Sequence, residues 1–140
     1  MSESILVAYD FGEIGDRALA WARDHAKAHQ ASMTLLHAVP LAPPSVSPDG
    51  VIAPAPPTVS DLQETQRRLH EVAARANVDA ASEAVVSSNV GDTIVQRAKD
   101  LGVTLIVVGT HARGPIARAL VGSVADYVIR HAHCPVVTLR

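Results

Sequence analysis

A chain of 140 residues with a formal net charge of −2 is long enough to bury a core of its own, and too evenly charged to be drawn to nucleic acid or an anionic membrane. Aromatic residues are only 3% of the sequence, which removes the stacking platforms of single-strand binders; the apolar content is instead Val, Ala, Ile and Leu, as in a parallel sheet covered on both faces. The single Cys134 excludes an intrachain disulfide and fits a reducing cytoplasm, while no apolar run nears the roughly 18 residues of a membrane span and no leader pattern opens the chain.

Ser4 to Tyr9 is β-rich and predicts a buried strand. Glu13 to His29 carries Ile14, Ala18, Leu19, Ala22 and Ala26 at helical spacing. Ser32 to Val39 predicts a second strand. The segment from Pro40 to Thr58 holds seven of the nine prolines and predicts a long, partly polyproline-like loop. Val59 to Asn77 predicts a helix capped by Thr58 or Ser60. Ala84 to Ser88 predicts a short third strand, and Asp92 to Leu101 a helix that begins after Gly91 and stops at Gly102. Thr104 to Val108 predicts the fourth strand, Ser123 to His131 the last helix, and Val136 to Leu139 the fifth strand. Strands alternating with helices predict a doubly wound parallel sheet, with residues 1–140 forming one domain around the Pro-rich loop 40–58. Ligands of such sheets sit beyond the carboxyl ends of the strands.

The last third of the chain carries the chemistry. The run Val107-Val108-Gly109 ends a strand, a loop of small residues follows, and Gly122-Ser123 opens a helix. Backbone N–H groups and a helix amino terminus favour an anion there, and phosphate is the obvious one. Gly109 would let the chain turn sharply and let a phosphate approach the backbone, although an ordinary strand-ending glycine would look the same. Ser123 stands three residues before Asp126, so its hydroxyl either caps its own helix in a capping box or meets a phosphate beside the N–H groups of Val124 and Ala125. Asp10 ends the first strand, either near a ligand or as a turn former before Gly12.

Other chemistries lack their residues. No Walker A sequence, G-x-G-x-x-G fingerprint or G-x-S-x-G elbow is present. His25 and His29 have metal-ligand spacing on a helix, but with no third ligand in evidence they read as a solvated face. His131, His133 and Cys134 cluster without a spaced second ligand pair, so no metal site is assigned. Arg113, Arg118 and Arg130 leave room for a local basic patch. No general base is paired with a positioned nucleophile, so no catalytic residue is assigned.

The frame Gly109-x2-Ala112-x9-Gly122-Ser123 resembles the phosphate-binding signature G-x2-G-x9-G-[ST] of the universal stress protein family. Thr110-His111, Val124-Ala125 and Cys134-Pro135-Val136 resemble it too, as do Ile5-Leu6-Val7-Ala8-Tyr9-Asp10 and Leu35-Leu36-His37-Ala38-Val39. The resemblance implies a three-layer α/β/α sandwich of the adenine nucleotide alpha hydrolase-like kind, with a five-stranded parallel sheet in the order 3-2-1-4-5. It implies a cytoplasmic stress-response module that binds ATP or a related adenine nucleotide, with magnesium or manganese as the accompanying ion. Slow hydrolysis is compatible with it. The implied nucleotide site is Ala8, Tyr9, Asp10 and Ala38 at one end, and Gly109, Ala112, Arg113, Gly122, Ser123 and Val124 at the phosphate end. Ala112 departs from the family glycine and Pro115 removes an N–H from the loop, so the cradle is altered. The implied assembly is a homodimer through the edge strand 136–139, with a regulatory protein partner the sequence does not name. The rival reading is a member that binds no nucleotide and acts as a protein-interaction or regulatory subunit. An enzyme related to the adenine nucleotide alpha hydrolases would need a Ser/Gly-rich loop after the first strand, and Asp10-Phe11-Gly12-Glu13 is not one.

Overall fold

The computed structural model describes residues 2–110 and 122–140. In chain order the elements are β1 (Ser4–Ala8), α1 (Glu13–His29), β2 (Ser32–Pro40), β3 (Ser45–Ser47), β4 (Gly50–Ile52), α2 (Val59–Arg75), β5 (Ala81–Ser87), α3 (Val90–Leu101), β6 (Leu105–Gly109), α4 (Ser123–His131) and β7 (Val136–Leu139). Five strands form one sheet in the order β5-β2-β1-β6-β7, every neighbouring pair parallel. Numbered among themselves, these strands run 3-2-1-4-5, the order that the family resemblance implies.

Strand alternation divides the core into two layers. Ile5 and Val7 of β1 pack with Leu35 and Val107 against Ala18, Leu19 and Ala22 of α1 and Leu69 and Val72 of α2. Leu6 points the other way and packs with Leu36 and Ile106 against Ile94, Val95 and Ala98 of α3 and Val128 of α4. The central strands β1 and β6 are therefore buried on both faces, which is why they read as unbroken apolar runs. None of the described helices is long and apolar enough to cross a membrane.

Local signals set most element ends. Thr58 caps α2 in a reciprocal capping box: its hydroxyl accepts from Asp61 N, and the Asp61 carboxylate accepts from Thr58 N at 2.7 Å. Gly102, at φ 64°, stops α3. Three expectations need correction; the first is that β5 begins at Ala81 and not at Ala84, because Ala81 to Glu83 already pair with β2. The Pro-rich segment contains a β-hairpin, β3 paired antiparallel to β4 with Val46 opposite Val51. Most of its prolines lie outside 45–52, and Pro48 occupies the turn, where no ladder donor is required. In addition, α3 starts at Val90, not Asp92, because Asn89 caps it by accepting from Asp92 N at 3.0 Å. Gly91 is then buried inside the helix, where a Cβ would come within 2.9 Å of the Tyr127 side chain.

Candidate functional site

A cavity of about 260 Å³ opens at the carboxyl ends of β1, β2 and β6. It lies where the chain order reverses, since β2 flanks β1 on one side and β6 on the other. Ala8, Tyr9 and Asp10 form one side, Leu36, His37, Ala38 and Pro40 the second, and Val108 and Gly109 the third. Val90 and Ile94 of α3 and Val124 of α4 close it. The lining is mostly aliphatic, with a few polar groups at the rim, which suits a flat ligand with one charged end.

The turn after β1 positions Asp10. Its carboxylate accepts from Gly12 N at 2.9 Å, an Asx turn made possible by Phe11 at φ 62°. Gly15, in the first turn of α1, leaves the space this carboxylate uses: a Cβ there would lie 2.4 Å from Asp10 Oδ1. The Tyr9 backbone faces the crevice side, and its carbonyl lies 2.7 Å from His37 Nδ1. The phenol is directed toward the α1–α2 side, where its hydroxyl donates to Asp16 Oδ1 at 2.5 Å. Burial, and then the bond to Asp16, push the Tyr9 pKa well above the usual phenol range, so Tyr9 stays a proton donor. That ring also borders a second cavity, of about 530 Å³, lined by Phe11, Asp16, Arg23, Arg68 and Arg75 among others.

The last helix has the expected bounds, and its amino end decides between the two readings of Ser123. The N-cap is Gly122, which has no side chain, and Asp126 N donates to Gly122 O at 2.9 Å. Ser123 is therefore the first helical residue, and the expected Ser123–Asp126 capping box does not form; Asp126 instead pairs with Arg130 at 3.1 Å. With glycine at the N-cap, the first N–H groups of the helix have no side-chain cap among the described residues. A helix amino end attracts an anion by its backbone donors and its dipole together.

The structure brings six of the sequence-derived residues to one cavity: Ala8, Tyr9, Asp10, Ala38, Gly109 and Val124. Gly122 and Ser123 lie at the start of the helix whose Val124 forms part of the wall. Ala112 and Arg113, together with Pro115 and Arg118, lie outside the described residues. Gly109 does not need its glycine for a left-handed turn; a Cβ there would lie 2.4 Å from Ile14 Cγ2, so it is the packing of α1 that excludes a side chain. Sequence reasoning missed Gly15, Leu36, His37, Pro40, Val90, Ile94 and Val108 as lining residues. The i, i+4 pair Val90–Ile94 was a usable signal once α3 was started at the right residue. The C-terminal trio does not converge on a metal: His131 Nδ1 engages Tyr127 O at 2.9 Å and His133 Nε2 engages Val103 O at 2.9 Å. Burial raises the Cys134 thiol pKa, which keeps it an unreactive thiol.

Comparison with known proteins gives this arrangement a context. The sequence model described as "Universal stress protein family" matches residues 1–140. A universal stress protein A homolog of Coxiella burnetii is 31% identical over 139 residues, covering 99% of this chain and 94% of that protein. A universal stress protein of Mycobacterium tuberculosis is 31% identical over 148 residues; this chain spans 48% of its length. Among solved structures, the universal stress protein UspA of Lactobacillus plantarum superposes with a TM-score of 0.70 at 27% identity, covering 99% of this chain and 97% of that one. An Archaeoglobus fulgidus universal stress protein in complex with dAMP has a TM-score of 0.68 at 22% identity, covering 99% of this chain and 98% of that one. Its fold is the adenine nucleotide alpha hydrolase-like one described above, and on the match across its whole length the chain belongs to the universal stress protein family.

Proposed function

We propose that the crevice between β1 and β6 binds an adenine nucleotide, ATP or a close relative, and that the protein acts as a regulatory module by holding it. The observation that carries this reading is the meeting of an aliphatic cavity with an α-helix amino end that no described side chain caps. The dAMP bound by the Archaeoglobus fulgidus protein and the cAMP bound by another universal stress protein support the choice of base. Ala38 and the walls Leu36, Val90 and Ile94 suit the base and ribose, and a backbone contact at Ala38 tolerates its methyl. Gly109, Gly122 and Ser123, joined by Ala112 and Arg113, suit the phosphates. Oxygen donors such as the Asp10 carboxylate and the Ser123 hydroxyl would hold magnesium or manganese, which would neutralise phosphate charge. The methyl of Ala112 costs about 1 kcal/mol if that residue needs positive φ, so ATP binding is weaker than with glycine there.

Two further features bear on function. The described edge strand β7 suits a two-fold antiparallel pairing that closes a homodimer. A protein-interaction role, the second reading, is favoured by the hairpin, which exposes Val46 at 82%, Val51 at 70% and Ile52 at 58%.

Calorimetric titration of the protein with ATP, ADP and cyclic AMP, with and without magnesium, tests the proposal. Saturable binding is expected, lost in Gly122→Val and preserved or strengthened in Ala112→Gly. Unchanged affinity in a folded Gly122→Val protein would remove the phosphates from α4. Failure of all three nucleotides to bind would leave the interaction subunit as the better reading.

A further inference from the structure

At the other end of β1, away from the crevice, a cluster forms that a nucleotide would not use. His25 and His29 lie one turn apart near the end of α1, with ring centroids 4.2 Å apart and planes at 23°. Trp21, a turn earlier, stacks on His25 at 4.9 Å and 14°, restricting that imidazole. Glu3 supplies what the sequence did not reveal. Its Oε2 lies 3.6 Å from His25 Nε2 and 3.8 Å from His29 Nδ1. One ligand atom from each residue falls within 4.8 Å of the other two, the only such grouping of His, Cys, Asp and Glu among the described residues.

The position of Glu3 follows from the fold. A crossover helix runs back along the sheet, so the last turns of α1 come level with the start of β1. The Glu3 backbone is held there, since its carbonyl accepts from Ser32 N at 3.1 Å and the next residue, Ser4, exchanges hydrogen bonds with Thr104.

We propose that Glu3, His25 and His29 form a binding site for a divalent transition cation of the zinc class, with water completing its coordination. Two imidazole nitrogens and a carboxylate oxygen are a donor set that zinc and its neighbours favour. Two ligands on one tetrahedral zinc are about 3.3 Å apart, given bond lengths of about 2.0 Å, so the two separations from Glu3 need to close by only a few tenths of an ångström, and the two imidazole nitrogens start within 4.8 Å of each other. The negative end of the α1 dipole favours a cation in the same place. Side-chain exposures of 46% at Glu3, 25% at His25 and 52% at His29 leave the ion reachable from solvent. The ion would tie the start of β1 to the end of α1, a structural clamp set by metal supply.

Tag-free protein titrated with zinc chloride at neutral pH, by calorimetry and by the visible spectrum of the cobalt form, tests the proposal. One saturable site is expected, with the melting temperature raised by zinc. His25→Gln, His29→Gln and Glu3→Gln should each weaken zinc binding at least tenfold and abolish the thermal shift, whereas His70→Gln, at an exposed position on α2, should change neither. Three of the four positions are exposed and His25 is half-buried, so circular dichroism should show intact folds. Absence of saturable binding at sub-millimolar zinc would overturn the proposal. So would wild-type affinity in either histidine variant, which would place the zinc elsewhere, or in Glu3→Gln, which would remove the third ligand.

Discussion

Gly109, the last residue of β6, passes so close to Ile14 in α1 that a Cβ on residue 109 would sit 2.4 Å from Ile14 Cγ2 and 3.5 Å from its Cβ. A β-branched side chain anchored at a helix start cannot swing aside. Gly109→Ala should therefore destabilise the protein by about 1–3 kcal/mol, the usual cost of overpacking. Adding Ile14→Ala should make the double variant more stable than the sum of the two single losses predicts. Urea unfolding of the four proteins measures this. Strict additivity would show that the glycine answers to something other than α1.

The phenol of Tyr9 predicts an alkaline signature. Its folded-state pKa is raised, by burial first and by Asp16 second, above the ordinary value near 10. The stabilising contribution is thus complete below about pH 10 and is lost as the pH rises past that value toward the folded-state pKa. At neutral pH Tyr9→Phe should cost about 1–2 kcal/mol, since Asp16 is exposed and regains water. The gap in unfolding free energy between wild type and Tyr9→Phe should then narrow above about pH 10. A gap independent of pH would mean that the bond to Asp16 contributes little.

The hairpin and its anchors should separate cleanly. Replacing residues 43–56 by a short Gly/Ser linker removes β3 and β4 but keeps Pro40 in the crevice and Thr58 on α2. The loss should stay under about 1 kcal/mol, because closure entropy varies slowly with loop length. Thr58→Ala alone should cost about 1 kcal/mol through the lost capping box. A linker variant that melts far below wild type would show the hairpin to be a packed element.

The edge strand permits a position-specific test of assembly. Pro135 O accepts from Ile106 N and Leu139 O from Thr110 N, so the odd residues of β7 face β6 and Thr138 faces outward. Thr138→Pro should remove a donor from the outer edge without touching the β6 ladder, and shift a dimer to monomer in sedimentation. Val137→Pro should instead break the ladder within the chain and lower stability. Equal sedimentation of wild type and Thr138→Pro would exclude β7 as the pairing edge.

What the sequence revealed and concealed follows from which interactions are local. β1 and β6 were legible because burial on both faces leaves only apolar residues such as Leu6, Val7 and Val107, and because Gly102 marks a helix end by itself. The start of β5 was not: the strand begins at Ala81, earlier than expected, because Ala81, Ser82 and Glu83 pair with Thr34, Leu35 and Leu36 despite the polarity of Ser82 and Glu83. At an edge, pairing can outweigh composition, and Glu83 is held by Arg97 across 2.7 Å. The six sequence-derived residues that line the cavity stand at strand ends or a helix start, where motif and backbone coincide. Ile94 needed a correct start for α3, and His37 needed the third dimension. So did Glu3, which meets His25 and His29 only because strand and helix run in opposite directions.

The pairing of β1 with β6 has a consequence for the chain as it is being made. Ile5 to Ala8 meet Leu105 to Val108 in register, so the central strand of the sheet waits for residues about a hundred positions later before its second edge is covered. Contacts of such sequence separation are slow to form. Until β6 leaves the ribosome, a nascent chain can pair β1 with β2 but leaves a fully apolar strand open on one side, an edge to which other unfinished chains can add. Translation speed between α3 and β6, and chaperone capture of chains paused there, should therefore govern the yield of folded protein more than any surface substitution does.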